Sequence, residues 1–160
     1  MPAFTDFLLD RPSALSDGLG VNDLRSVAHV NTGSLPSVEA AVHPALEVLS
    51  IGVWEGEPLS LAPVVGLPRL RTLTAYPGTL ADPLEITKLT GLEYLELGPR
   101  EWRVLLDARA VPRGLSAAGI EVHGDADPPA VVELANEILA LWDRPLISRT
   151  AVEGSLDPAR

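Results

Sequence analysis

Few residues in this chain have the types and spacing that chemistry needs. His29, His43 and His123 stand too far apart for i, i+4 or cysteine-associated metal spacing. There is no cysteine, hence no disulfide framework and no thiolate nucleophile. Gly18-Leu19-Gly20 opens like a dinucleotide loop, but Asp23 occupies the third glycine position and no strand precedes it. No G-x-S-x-G elbow, phosphate loop or H-E-x-x-H occurs. Glu55 and Glu57 bring two carboxylates together, an arrangement that can do acid–base work in a hydrolase. In a chain with 22 acidic residues the plainer reading of such a pair is a solvated surface. The expectation is a non-enzymatic protein with no catalytic residue, cofactor or metal.

Residues suited to binding remain: Trp54, Tyr76, Tyr94, Glu96 and Trp102. Exposed aromatics anchor protein interfaces because they bury much area at low entropy cost. The competing reading is that Trp54 and Trp102 fold back as packing, which leaves the two tyrosines as the better half of the set. Which reading holds depends on the elements that carry them.

Those elements follow from an internal repeat. Leu46-Glu47-Val48-Leu49-Ser50-Ile51, Leu70-Arg71-Thr72-Leu73-Thr74-Ala75 and Leu92-Glu93-Tyr94-Leu95-Glu96-Leu97 align without gaps as L-x-x-L-x-apolar. Two weaker copies, Leu24–His29 and Leu115–Ile120, extend the register, giving intervals of 22, 24, 22 and 23 residues. In a short strand alternate side chains face opposite ways, so Leu49 and Ile51 turn inward while Val48 and Ser50 face out. On the same logic Val27 and His29 point inward, and Ser26, Ala28 and Val30 outward. One unit cannot bury its own apolar edge, so units stack and their strands form a parallel sheet. Each well-buried Leu or Ile stabilises such a stack by roughly 1.5–3 kcal/mol.

At these residues, over roughly 20 to 123, the chain resembles the leucine-rich-repeat family, whose unit carries L-x-x-L-x-L at its core. The resemblance implies an α/β solenoid of about five coils of 22–24 residues with parallel strands on the concave side. It also implies a protein-binding role. The family's Asn or Cys three residues beyond the last apolar position is missing, since Thr32, Trp54, Gly78 and Arg100 stand there. The usual side-chain ladder that satisfies turn backbone groups is therefore expected to be absent, with turns of irregular shape.

Between the copies, Leu59, Leu61, Val64, Val65 and Leu67, then Leu80, Leu84, Ile86 and Leu89, supply further inward contacts. Pro58, Pro63, Pro68, Pro77 and Pro83 break these stretches, which predicts short 3₁₀ or single-turn pieces rather than long helices. Val38 to Val42 suits a brief helix before Pro44. An apolar stripe at Val131, Leu134, Ala135, Ile138, Leu139 and Trp142 predicts a C-terminal capping helix over 130–142, with Asp127 as its N-cap and Pro145 as its stop. The expected organisation is a single domain over 1–143: an N-terminal cap at 1–20, repeats at 21–123 and a helical cap at 127–143. Residues 144–160 read as a loose tail.

Composition narrows the partner. Hydrophobic residues make up 46% of 160, enough for a packed core, but aromatics only 4%, so Leu, Val, Ile and Ala must fill it. Net charge is −10, with a single Lys, Lys88, and scattered Arg. Nucleic acid and anionic membrane surfaces require basic clusters, so neither is expected as a partner. Met1-Pro2-Ala3-Phe4-Thr5-Asp6 shows no signal-peptide pattern and no stretch reaches the ~20 apolar residues of a membrane span, so a cytoplasmic location is expected. High Ala, Pro, Gly and Arg content fits a GC-rich bacterial source. The functional expectation is a protein–protein interaction module binding through its concave sheet and adjacent loops. A sharper version is an acidic immunity or inhibitor protein that masks a basic toxin. A structural, self-associating repeat protein is the alternative.

Overall fold

The computed structural model describes residues 26–31, 38–53, 56–122 and 127–147. It is a mixed α/β chain built on one all-parallel sheet, whose spatial strand order equals the sequence order. The strands are β1 (Ser26–Asn31), β2 (Val48–Gly52), β3 (Thr72–Ala75), β4 (Tyr94–Leu97) and β5 (Ala117–Ile120). Three 3₁₀ segments, Val38–Ala41, Ala62–Val64 and Pro83–Lys88, and the helices α1 (Pro99–Asp107) and α2 (Pro128–Ala140) complete it.

Strands β2 to β5 pair without slippage, so equivalent repeat positions stand side by side. Leu49, Leu73, Leu95 and Ala118 form one row, and Ile51, Ala75, Leu97 and Ile120 another. From β2 to β4 both rows are fully buried, and the intervening positions are half-exposed. The leading leucines Leu46, Leu70, Leu92 and Leu115 are buried as well, entering the core ahead of each strand. The backbone repeats with the sequence. The Glu47 carbonyl accepts the N–H groups of Arg71 and Thr72, Arg71 those of Glu93 and Tyr94, and Glu93 those of Ser116 and Ala117, at 2.8–3.2 Å.

β1 departs from the expected alternation. Val27 pairs with Leu49, but Val30, not His29, is the partner of Ile51, because the register shifts by a bulge between Val27 and Val30. The extra residue places a valine where strict alternation would have put histidine, a slip that a bulge permits.

The connecting stretches hold the short 3₁₀ pieces that the prolines predict. Leu59, Leu61, Val64, Leu80, Ile86 and Leu89 are buried as expected. Val65 and Leu84 are not: each is 37% exposed, because a tight 3₁₀ turn presents only part of its circumference to the core. Asp82 caps its segment, accepting the Leu84 N–H at 2.9 Å.

In place of the family's ladder, turn N–H groups find other side-chain acceptors. Each acceptor comes from the following repeat. Thr79 Oγ1 takes the Val53 N–H at 3.2 Å, Glu85 Oε2 that of Leu61 at 2.7 Å, and Glu101 Oε1 that of Gly78 at 2.9 Å. Different side chains from a different place do the ladder's work of satisfying turn donors.

The connection after β4 is a true α-helix, which the sequence reading did not anticipate. Gly98 is its N-cap and Pro99 its first residue, a position where the missing N–H costs nothing. Glu101, Trp102 and Leu105 form its buried face. Its end closes with Arg109 in the left-handed region (φ 53), Ala110 N–H bonding Leu105 O at 2.8 Å and Arg109 N–H bonding Leu106 O at 3.0 Å.

Contacts divide the chain into two compact units, Met1–Gly124 and Asp125–Arg160. The second contains α2, starting two residues earlier than the apolar stripe suggests, with Leu134 and Ile138 buried. Asp127 flanks it but makes no side-chain cap bond. A cap usually accepts the N–H of the second or third helical residue, and Pro129 in the second place has none. The helix ends before Pro145 in the same left-handed closure, with Asp143 at φ 52 and Arg144 N–H on Leu139 O at 3.1 Å. The Asn136 side chain then ties down Ile147 through both its amide atoms, at 2.7 and 3.2 Å. The expected N-terminal cap at 1–20 lies outside the described residues. Among those described, no helix is long and apolar enough to cross a membrane.

Candidate functional site

The outward positions of β2 to β5 align into three rows. Val48, Thr72, Tyr94 and Ala117 make the first, and Ser50, Thr74, Glu96 and Gly119 the second. Gly52, Tyr76, Gly98 and Glu121 continue the same faces one step on. The repeat that builds the core therefore also fixes which side chains meet on the surface.

At the centre of this face Glu96 gathers its neighbours. Thr74 donates its hydroxyl hydrogen to Glu96 Oε2 at 3.3 Å. The Tyr94 hydroxyl lies close to the same carboxylate, both reaching over Gly119 on the next strand. Gly119 opposite makes room: a Cβ there would stand 2.7 Å from the Tyr94 hydroxyl and 3.0 Å from Glu96 Cγ. The Tyr94 hydroxyl is held above its usual pKa of 10.0, chiefly by partial burial, then by the Glu96 charge and hydrogen bond and the charge of Glu121. A phenolate beside two carboxylates is disfavoured, so this face carries negative potential.

Tyr76 takes a different seat. Its ring lies over Gly52 on the neighbouring strand, where a Cβ would come within 2.9 Å of the ring. Both tyrosines thus lie half-exposed against a glycine of an adjacent strand, Tyr76 toward β2 and Tyr94 toward β5.

Of the five residues singled out from sequence, the sheet brings together Tyr76, Tyr94 and Glu96. Trp102 is corrected: it is fully buried on the inner side of α1, and its indole N–H donates to the Gly119 carbonyl at 2.8 Å. It supports the face from beneath and offers nothing to a partner. Its i, i+3 spacing to Leu105, after Gly98-Pro99, is the helical signal that would have revealed this. Trp54 lies outside the described residues, as do Glu55 and His123. Sequence reasoning missed Gly119 and undervalued Thr74, although the repeat register alone places both beside Glu96. His43 is buried in the bend before Leu46, where its Nδ1 accepts the Ala45 N–H at 3.1 Å, a structural role.

Basic residues at the entry edge of the strands are already engaged. Arg69 pairs with Glu47, and Arg71 pairs with Glu93 at 3.4 Å. Among the outward row positions of β2 to β5, Glu96 and Glu121 are the only formally charged side chains. Away from this face, a cavity of about 110 Å³ between Leu67 and Leu89 is lined by glycine, proline, leucine and threonine, with no ionisable group. The buried Glu101 points one oxygen at Gly78 N, and its Oε2 has no hydrogen-bond partner.

No family model, curated protein or solved structure matches this chain.

Proposed function

We propose that this chain is a short leucine-rich-repeat solenoid that binds another protein through the outward face of its sheet. The observation that carries this reading is the Thr74–Tyr94–Glu96 cluster with the ring of Tyr76 beside it. It sets half-exposed aromatic and hydrogen-bonding groups on a rigid, register-locked sheet. Such groups lose little entropy on binding because their rotamers are already held. Repeat proteins use the surface made by their stacked strands in this way, and that step is an analogy with the fold. In this reading the chain acts without chemistry of its own. The acidic face suits a basic partner, which is where an immunity or inhibitor role enters.

The test is capture of partners by immobilised wild-type chain and by Thr74→Arg, which plants a bulky cation in the middle of the face. A stoichiometric partner held by the wild type and lost on Thr74→Arg supports the reading. Equal retention on both places the interface elsewhere.

A second reading, self-association, draws on β5. It is the last strand of the sheet among the described residues, its Ala117 and Ala118 are exposed, and in this reading a second copy's strand pairs alongside it. Light scattering at micromolar concentration separates the two: a monomer removes this alternative.

A further inference from the structure

We propose that the partner engages this face through an arginine side chain seated on Glu96 beside Tyr94. The proposal rests on the protein-binding reading above and specifies its chemistry. Three observations converge on it.

The first is the acceptor capacity of Glu96. A carboxylate offers about four lone-pair sites across its two oxygens. Thr74 takes one, the Tyr94 hydroxyl stands nearby, and Glu96 has no cationic partner among the described residues. Two acceptor sites on a half-exposed, pre-oriented carboxylate match the two-pronged donor set of a guanidinium. The Thr74 hydroxyl already orients the carboxylate, so an arriving arginine has less to order.

The second is the surrounding charge. The face holds Glu96 and Glu121 and no outward Lys, Arg or His on β2 to β5, while the neighbouring arginines at its edge are paired with Glu47 and Glu93. A cation arriving here meets the Glu96 carboxylate, and none of the outward row positions of β2 to β5 carries a positive group.

The third is the aromatic flank. Tyr94 is half-exposed beside Glu96 on the same strand, and its ring gives a planar cation a surface to stack on. Lysine, a compact point charge, would gain the ion pair but lose both the second hydrogen bond and the stacking.

The test uses the whole chain and N-acetyl-argininamide as probe, followed by NMR of the tyrosine rings, with N-acetyl-lysinamide as comparison. Saturable shifts at Tyr94 are expected, stronger for the arginine probe. Glu96→Gln should weaken binding by about tenfold, the scale of one charge-assisted pair, while Glu93→Gln leaves it unchanged. Tyr94→Ala, an independent variant, should also weaken it. Signal dispersion of each variant confirms that it is folded. Absence of saturable shifts, equal response to the lysine probe, or an unchanged response in Glu96→Gln overturns the proposal. A protein partner lost on Thr74→Arg yet held undiminished by Glu96→Gln leaves the binding reading standing and removes the arginine seat alone.

Discussion

Glu101 Oε1, in the first turn of α1, accepts the Gly78 N–H of the preceding repeat at 2.9 Å. The residue is buried, and its second oxygen has no hydrogen-bond partner. One half of this carboxylate thus stitches two repeats together while the other half is a cost, since burying an unpaired polar atom is unfavourable. Gly78 itself adopts φ 78, a conformation that only glycine takes without strain, so the turn and its acceptor are matched.

Replacing Glu101 therefore has opposite consequences depending on what remains. Glu101→Ala strips the side-chain acceptor from the Gly78 N–H and should lose about 0.5–1.5 kcal/mol in urea unfolding, the net worth of one hydrogen bond. Glu101→Gln keeps an oxygen for Gly78 and should stay within about 1 kcal/mol of wild type. Equal stability of the alanine variant would contradict the stitching role.

Arg109 closes α1 in the left-handed region, at φ 53, on an exposed site. A non-glycine residue there is strained by roughly 1–2 kcal/mol. Arg109→Gly should raise stability by up to about 1 kcal/mol, the remainder being offset by the greater freedom of glycine in the unfolded chain. A fall in the melting temperature would show that the Arg109 side chain has a role of its own.

Tyr94 gives the face a pH signature. Its folded pKa lies above the unfolded 10.0, so the folded state holds the proton more tightly. The corresponding stability is fully present below about pH 10 and is lost as pH rises through the folded pKa. Ultraviolet titration of tyrosinate should show a late ionisation, and Tyr94→Phe should delete that step. Glu96→Gln should bring it down only in part, because partial burial is the largest cause and survives the substitution. A Tyr94 that titrates at its ordinary value would remove the polar cluster.

Gly119 sits where any Cβ would press on the Tyr94 hydroxyl and Glu96. Both must shift to admit a methyl, so Gly119→Ala should cost about 1–3 kcal/mol in folding, the scale of an overpacked methyl. Its effect should also appear in the Tyr94 titration, through a changed placement of the phenol beside Glu96. A variant that unfolds outright would mean that the strand backbone, not the cluster, needs the glycine.

The repeat period made the sheet legible. The spacing of Leu46, Leu70, Leu92 and Leu115 located four strands, and the L-x-x-L pattern fixed their register and so the rows in which Tyr94 and Glu96 stand. What escaped was settled by local geometry that periodicity does not encode. The bulge in β1 exchanges His29 for Val30 opposite Ile51, since one added residue is invisible to a pattern that tolerates variable spacing. Trp102 was misplaced because its position was read from the strand end rather than from its own helical spacing to Leu105. The missing Asn ladder was real as a motif and misleading as physics: the N–H groups needed acceptors, and Thr79, Glu85 and Glu101 supply them from the next repeat. Of the site, the residue types were legible and the pairings were not. The Thr74–Glu96 bond and the space above Gly119 emerge only when neighbouring strands are laid side by side.

Site-specific photo-crosslinking in the source cells tests the central claim most directly. A benzoyl-phenylalanine at position 74, on the outward face of the sheet, should yield one discrete adduct with another protein, and the same group at exposed position 87, in the Pro83–Lys88 segment, should yield none. An adduct formed from position 87 with none from position 74 would contradict binding through the sheet, and adducts with a second copy of this chain would assign the face to self-association.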